Sequence, residues 1–283
     1  MKKIILVLLV TLFSINLFAV NIFINETNSD KFKVEKKDDN LYVYYNNTLI
    51  DIYVENGDIP RINNIFNDKN TNMFLILSSV FNNIPNIDDK CGIYATYYNL
   101  NIYKVFDNFL LNLIKINQKL KGYDGIDMCK KTIFPYKTKI EIENKLKQLN
   151  ISNIDVLDSL IEFLKLDYEK KYDSLFTFKD SSFDIDTMKA ILNEIPLEIK
   201  TLQKYNDIAY YLQQANANNE AIFLLEKIIE KFPNRTVAYL NLADAYDGLG
   251  NKEKAKENYE KYINLMKQEN KEAKIPQRVL EFK

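Results

Sequence analysis

Histidine is missing from the 283 residues, and so is tryptophan. Without histidine there is no Ser-His-Asp or Cys-His nucleophile, no imidazole proton shuttle and no His-bearing metal site. Glycine and proline are scarce, six of each. The glycines are scattered, so no Gly-rich loop is present to cradle a phosphate. Two cysteines, Cys91 and Cys129, lack the Cys-x-x-Cys spacing that tunes thiol acidity. Neither sign of charge dominates: 38 Lys and Arg face 39 Asp and Glu. That balance leaves no electrostatic footprint for nucleic acid. No apolar run after residue 19 is long enough to span a bilayer. What is present is a globular composition, 47% hydrophobic and 27% charged, rich in Tyr (19) and Phe (17). The length suits one large or two ordinary domains.

Residues 1–19 read as a secretory signal. Lys2 and Lys3 form the positive start, Ile4 to Leu17 the apolar stretch, and Ala19 the small residue at the cleavage position. The stretch is about 14 residues, short of the roughly 20 of a spanning helix. No Cys near the junction offers a lipid anchor. Cleavage would shift the formal charge from −1 to −3, since the segment carries two Lys and no acid. Asn, Ile and Lys usage points to a bacterial source and the periplasm. The Asn-x-Ser/Thr matches at Asn25, Asn46, Asn150 and Asn234 are then chance. In an oxidising compartment Cys91 and Cys129 would bond, and two cysteines allow one intramolecular pairing. Closing a loop of about 39 residues stabilises by about 4 kcal/mol in the chain-entropy picture. The alternative is a pair of free, buried thiols.

Two periodicities divide the rest, giving an α+β chain. Residues 20–136 are β-rich. Phe32–Glu35, Leu41–Tyr45 and Leu49–Val54 are short strands, with Asn46-Asn47 as a two-residue hairpin turn. Phe74–Val80, Gly92–Tyr98 and Ile102–Phe106 continue the pattern. Phe109–Ile116 is assigned as a return strand, although Leu110, Leu113 and Ile114 also fit helical spacing. Lys121–Gly125 is assigned as a loop. The sum is an antiparallel meander or small sandwich of six to eight strands. Residues 137–283 turn helical. Thr138 with Glu141 forms a capping box, and Ser152 with Asp155 resembles one. A helix starts near Asp184, and Pro196 opens the next.

A repeat of 34 residues follows. Tyr205, Ile208, Ala209, Leu212, Ala221 and Leu225 are matched by Tyr239, Leu242, Ala243, Tyr246, Ala255 and Tyr259. The small residues mark close helix crossings. Asn218-Asn219 and Gly248-x-Gly250 supply turns, and Pro233 ends the first unit. The pattern resembles the tetratricopeptide repeat (TPR), with units at about 202–235 and 236–269. Two departures stand out: Ala replaces the family's small Gly in both units, and Lys267 stands where the terminal Pro would be. Because about three units are needed for a continuous core, helices at 184–200 and 272–282 are expected to pack as caps. The resemblance implies a protein partner on the concave face of the first helices. The matching side chains are Gln203, Asn206, Tyr210, Gln213, Gln214, Val237, Leu240, Asp244 and Asp247. None is basic, which argues against gripping a C-terminal carboxylate. The face suits polar or basic segments, unless it is merely solvated or covered by the β-rich part.

Other constellations carry less. Asp68-x-Asn70-x-Asn72 lacks the Gly and Glu of a calcium loop. Asp124 and Asp127 could form a carboxylate pair only if space brings them together. Ser78-Ser79 lack a Gly-x-Ser-x-Gly elbow. Tyr44-Tyr45 and Tyr97-Tyr98 could be a glycan surface, or half-buried strand packing. The expectation is a non-catalytic periplasmic protein-interaction protein without cofactor, metal or nucleic-acid partner, acting as adaptor, assembly factor or toxin-immunity protein. The alternatives are a carboxylate-dependent wall or glycan enzyme, or a glycan-binding module, with the TPR part as docking unit.

Overall fold

The computed structural model describes residues 32–37, 40–45, 48–53, 61–68, 73–84, 92–106, 109–127, 129–168 and 183–282. The signal segment, the Asn46-Asn47 turn, Asn70, Asn72 and Cys91 lie outside them.

Nine strands are described, β1 (Phe32–Lys37), β2 (Asn40–Tyr45), β3 (Thr48–Tyr53), β4 (Arg61–Asp68), β5 (Met73–Ile84), β6 (Ile93–Phe106), β7 (Phe109–Asn112), β8 (Lys121–Asp127) and β9 (Lys130–Thr132). β1-β2-β3 form a three-stranded antiparallel sheet; β4-β5-β6-β8-β9 form a second, with β7 also paired to β6. The helices are α1 (Ile114–Asn117), α2 (Lys139–Leu149), α3 (Asn153–Tyr168), α4 (Ile185–Glu194), α5 (Ile199–Gln214), α6 (Asn218–Lys231), α7 (Thr236–Gly248), α8 (Lys252–Gln268) and α9 (Gln277–Leu280).

Side-chain alternation along β5 and β6 builds a layered arrangement. Leu75, Leu77, Leu100 and Ile102 point to one face and join the large core with α3–α8. Ile76 and Tyr103 point to the other and meet Leu41 and Val43 of the small sheet. One continuous apolar core therefore runs from β5 and β6 through α3 into the helical array. Phe109 meets Phe183 edge-on, ring centroids 5.2 Å apart. Lys104, almost fully buried, ion-pairs with Glu194 at the end of α4.

β6 is long enough to need several partners on one edge. Ile93–Asn99 pair with β8, and Tyr103–Phe106 pair with β7. The stretch between them is closed by the α1 turn. The side chain of Asn117 accepts from the Ile102 N–H at 2.9 Å, and its amide donates to the Ile102 carbonyl at 3.3 Å and to Asn112 Oδ1 at 2.7 Å. The Leu100 N–H donates to Leu120 O at 3.0 Å. Asn117 thus replaces a missing strand neighbour, as buried backbone polar groups demand.

Four local expectations are corrected. Phe109–Ile116 is a four-residue strand followed by α1, because β7 ends once it has paired Tyr103. Gly92–Tyr98 and Ile102–Phe106 are one strand. Lys121–Gly125 belongs to β8, not a loop; a Cβ on Gly125 would lie 2.6 Å from Tyr94 O, so the glycine serves close backbone approach. Pro196 does not open a helix: α5 starts at Ile199, capped by Glu198. The helical starts otherwise follow the sequence. Thr138 and Glu141 make a reciprocal capping box. Ser152 and Asp155 do the same, at 2.8 and 3.3 Å. Asp184 caps α4 through Thr187 N at 2.8 Å.

Candidate functional site

The helical array positions the nine expected partner-face residues. α5 and α6 pair as one hairpin, α7 and α8 as the next, and α6 and α7 join them. Ala209, Ala221, Ala243 and Ala255 are all fully buried, which lets the helices cross closely. Tyr205, Ile208 and Leu212 fill the first hairpin; Tyr239, Leu242 and Tyr246 fill the second. A Cβ on Gly248 would stand 2.7 Å from Asn218 Nδ2, so the α6–α7 contact also depends on a missing side chain.

The period itself is cross-linked. Lys231 Nζ donates to Leu197 O at 2.7 Å, Tyr239 O–H to Pro233 O at 2.9 Å, and Tyr246 O–H to Glu226 at 2.7 Å. The Tyr205 hydroxyl, in the buried core, donates to Ile195 O. Burial and the Glu226 carboxylate push the Tyr246 hydroxyl up to about 12.

Gln203, Asn206, Tyr210 and Gln213 recur at spacings of three and four along α5, and Val237, Leu240, Asp244 and Asp247 repeat the stripe on α7. Since α5 and α7 touch, the two stripes lie on neighbouring helices. Their environments differ. Tyr210 is exposed, its ring 5.2 Å from that of Tyr211. Gln214 donates to Gln213 at 2.6 Å. Gln203 donates to Asp207 at 2.6 Å and accepts from Arg235. Asn206 is 3% exposed, and its Oδ1 finds no hydrogen-bond partner among the described residues. Leu240 is half-buried against the core and Val237 is half-buried. Asp247 pairs with Lys252.

Asp244 is the most heavily engaged. Its carboxylate accepts from Tyr259 O–H at 2.5 Å and from Arg278 at 2.5 and 2.8 Å. Burial, then the Asp244 carboxylate, holds the Tyr259 proton well above the usual phenol range. Arg278 and Arg235 are the contributions that the stripe pattern alone misses. For Arg278 the signal was available, since it stands 34 residues beyond Asp244. A shallow apolar depression lined by Ile199 and Phe232 with Glu198, Lys200 and Lys231 contains none of the nine.

The remaining candidates separate in space. β8 places Asp124 opposite Thr96 and Asp127 opposite Ile93, an odd spacing that sends the two carboxylates to opposite faces. Asp124 is instead paired with Lys137 at 2.6 Å. Tyr97 and Tyr98 also point to opposite faces: one meets Tyr123 at 5.0 Å, the other stacks on Phe134 at 5.1 Å. No group of three His, Cys, Asp or Glu suited to a metal ion occurs among the described residues. No described helix is long and apolar enough to cross a membrane.

Residues 212–271 match a family model described as tetratricopeptide repeat, less than half of the chain. Among solved structures, the chain is similar to a crystal structure of MamA at 20% identity, covering 49% of this chain and 79% of that one, TM-score 0.28. A second MamA crystal structure gives 19% identity, 48% and 75% coverage, and a TM-score of 0.27. Likeness that distant carries no argument about function. No curated protein matches the chain.

Proposed function

Because the chain carries tetratricopeptide repeats in its C-terminal part, we propose that it is a non-catalytic periplasmic protein that binds a protein partner through the α5–α7 face. The observation that carries this reading is the pair of adjacent stripes, Gln203–Gln213 and Val237–Asp247. They carry the exposed Tyr210, the Gln203 and Gln213 amides, two ion-paired carboxylates and, between Val237 and Asp244 on α7, the half-buried Leu240. An apolar anchor ringed by polar groups is the usual make-up of a binding hot spot. A repeat fold does not prove binding by itself, so the weight rests on these side chains. None of the nine is basic, but Arg278 and Lys252 already pair with Asp244 and Asp247 and Arg235 donates to Gln203, so a basic partner segment would bind by displacing these cations. An adaptor of envelope assembly and an immunity protein against a delivered toxin would both use such a face.

The compartment belongs to the same proposal. Lys2, Lys3, the apolar Ile4–Leu17 and Ala19 support export. A Cys91–Cys129 bridge would fit an oxidising compartment. Cys129 is not a free residue. The division into a signal at 1–19, a β-rich part at 20–136 and a helical part at 137–283 is proposed with it.

The test is affinity capture from the organism's own envelope extract, comparing the mature protein with a Tyr210→Ala, Leu240→Arg version. One stoichiometric protein, retained by the first and lost by the second, is expected. Equal retention by both would overturn the face assignment. The captured protein's identity separates adaptor from immunity roles.

A further inference from the structure

The two ends of the array are closed very differently. At the start, α3 lies on α5 and α4 against α6. They bring Val156, Leu157, Leu160, Leu164, Met188 and Ile191 into the common core, all buried. At the finish, a 3-10 turn (Glu272–Lys274), an extended link through Pro276 and the four-residue α9 cover the last hairpin. Of described residues 272–282, Val279 is the one buried side chain. A segment with so little buried apolar surface belongs to the least stable class of local structure.

Its polar anchor is nevertheless well formed. Arg278 donates from Nη1 to Asp244 Oδ1 at 2.5 Å and from Nη2 to Oδ2 at 2.8 Å, a fork-on-fork pair. Nη1 also donates to the Tyr259 hydroxyl at 3.0 Å. Four residues on, the Phe282 ring lies 4.7 Å from that of Tyr259, with Lys252 Nζ 5.2 Å from its centroid. The carboxylate at the centre, Asp244, is one of the nine partner-face residues. Residues 272–282 therefore occupy the end of the proposed partner site through the Arg278 guanidinium on Asp244, and four residues later the Phe282 ring covers Tyr259, whose hydroxyl donates to the same carboxylate.

We propose that this C-terminal segment is an internal occupant of the partner site, a latch that a partner displaces by offering the same two groups, Arg followed about four residues later by an aromatic. The proposal rests on the partner-face reading and deepens it. When the segment leaves, Asp244 keeps the Tyr259 O–H but loses its cation, and the Tyr259 ring loses its aromatic cover. Both are then open to a ligand of matching chemistry. The low buried area of 272–282 sets a small cost for opening, and the bidentate pair sets the specificity.

The test uses the full chain and a fluorescent synthetic peptide of residues 272–283. The chain carrying Arg278→Ala with Phe282→Ala, shown folded by circular dichroism, is expected to bind the peptide at least tenfold more tightly than the unaltered chain. Adding Asp244→Asn is expected to remove that gain. Equal affinity of released and unaltered chains overturns the latch. Hydrogen exchange on the unaltered chain gives a second readout, free of variants. The amides of Val279 and Glu281 are expected to exchange at least tenfold faster than those in the middle of α8. Equal protection overturns the latch. If the peptide never docks while Leu240→Arg still abolishes partner capture, the latch fails and the partner face stands. If Leu240→Arg leaves capture intact, the partner face fails and the latch falls with it.

Discussion

Replacing Asn117 by alanine tests how the β-rich part is joined to the helices. Three hydrogen bonds disappear together, at 2.9, 3.3 and 2.7 Å. Their losses are unequal. The Ile102 carbonyl keeps the Leu113 N–H at 2.9 Å. The Ile102 N–H loses its partner at a residue that is 0% exposed, beside an Asn that is 6% exposed. Leaving a buried donor unsatisfied costs about 1–3 kcal/mol, and the Asn112 bond adds about 0.5–1. The expected total is about 1.5–4 kcal/mol, or a melting temperature lower by roughly 3–16 °C for a chain of this size. Urea denaturation should show a lower midpoint with an unchanged slope, the mark of lost stability rather than a changed denatured state. Asn112→Ala is the control, since it removes one side-chain partner and leaves the Ile102 N–H satisfied. It should cost less than about 1 kcal/mol. An Asn117→Ala midpoint equal to wild type, or an Asn112→Ala loss of the same size, would refute the view that Asn117 stands in for a strand.

Gly248→Ala should cost about 1–2 kcal/mol by pressing a Cβ onto the Asn218 amide. Asn218→Ser in the same chain should recover most of it, since Asn218 Oδ1 already lacks a partner among the described residues; failure to recover would place the strain elsewhere. Glu194→Ala should cost about 1 kcal/mol by removing one carboxylate, its side chain 36% exposed, from the buried Lys104 ammonium. Lys104→Met should cost less, and the reverse order in thermal unfolding would contradict this. Alkaline pH should weaken the array. Burial and Glu226 push the Tyr246 hydroxyl to about 12, above its ordinary value of 10.0. The folded state therefore holds that proton more tightly, so its contribution is intact below pH 10 and lost as pH climbs through 12. Urea midpoints at pH 9 and pH 11 should differ, and Tyr246→Phe should reduce the difference; an undiminished drop in the variant would contradict the assignment.

The helical half was legible because its signals are local and repeated. Capping boxes at Thr138–Glu141 and Ser152–Asp155 depend on three-residue spacing, and the buried set Tyr205, Ala209, Leu212 recurs one period later. The sheets were less legible because their decisive contacts are distant. β4 was not anticipated: a bulge between Ile62 and Asn64 breaks the alternation that marks a strand. β8 reads as a loop because Gly122 and Gly125 look like turn residues. The purpose of Gly125 appears only when the Tyr94 backbone is seen 2.6 Å from where its Cβ would sit. At the site, the stripes on α5 and α7 followed from the period. The engagement of Asp244 was harder to see: Arg278 stands one 34-residue period beyond it, but on a segment past the last recognisable repeat whose four-residue helix shows no apolar periodicity of its own.

The most direct measurement is hydrogen exchange of the mature chain alone and in complex with its captured partner. Binding through the proposed face predicts new protection concentrated in α5 and α7, around Gln203–Gln213 and Val237–Asp247, with the β1–β2–β3 sheet unchanged. Protection confined to the sheets, with α5 and α7 exchanging as in the free chain, would contradict it.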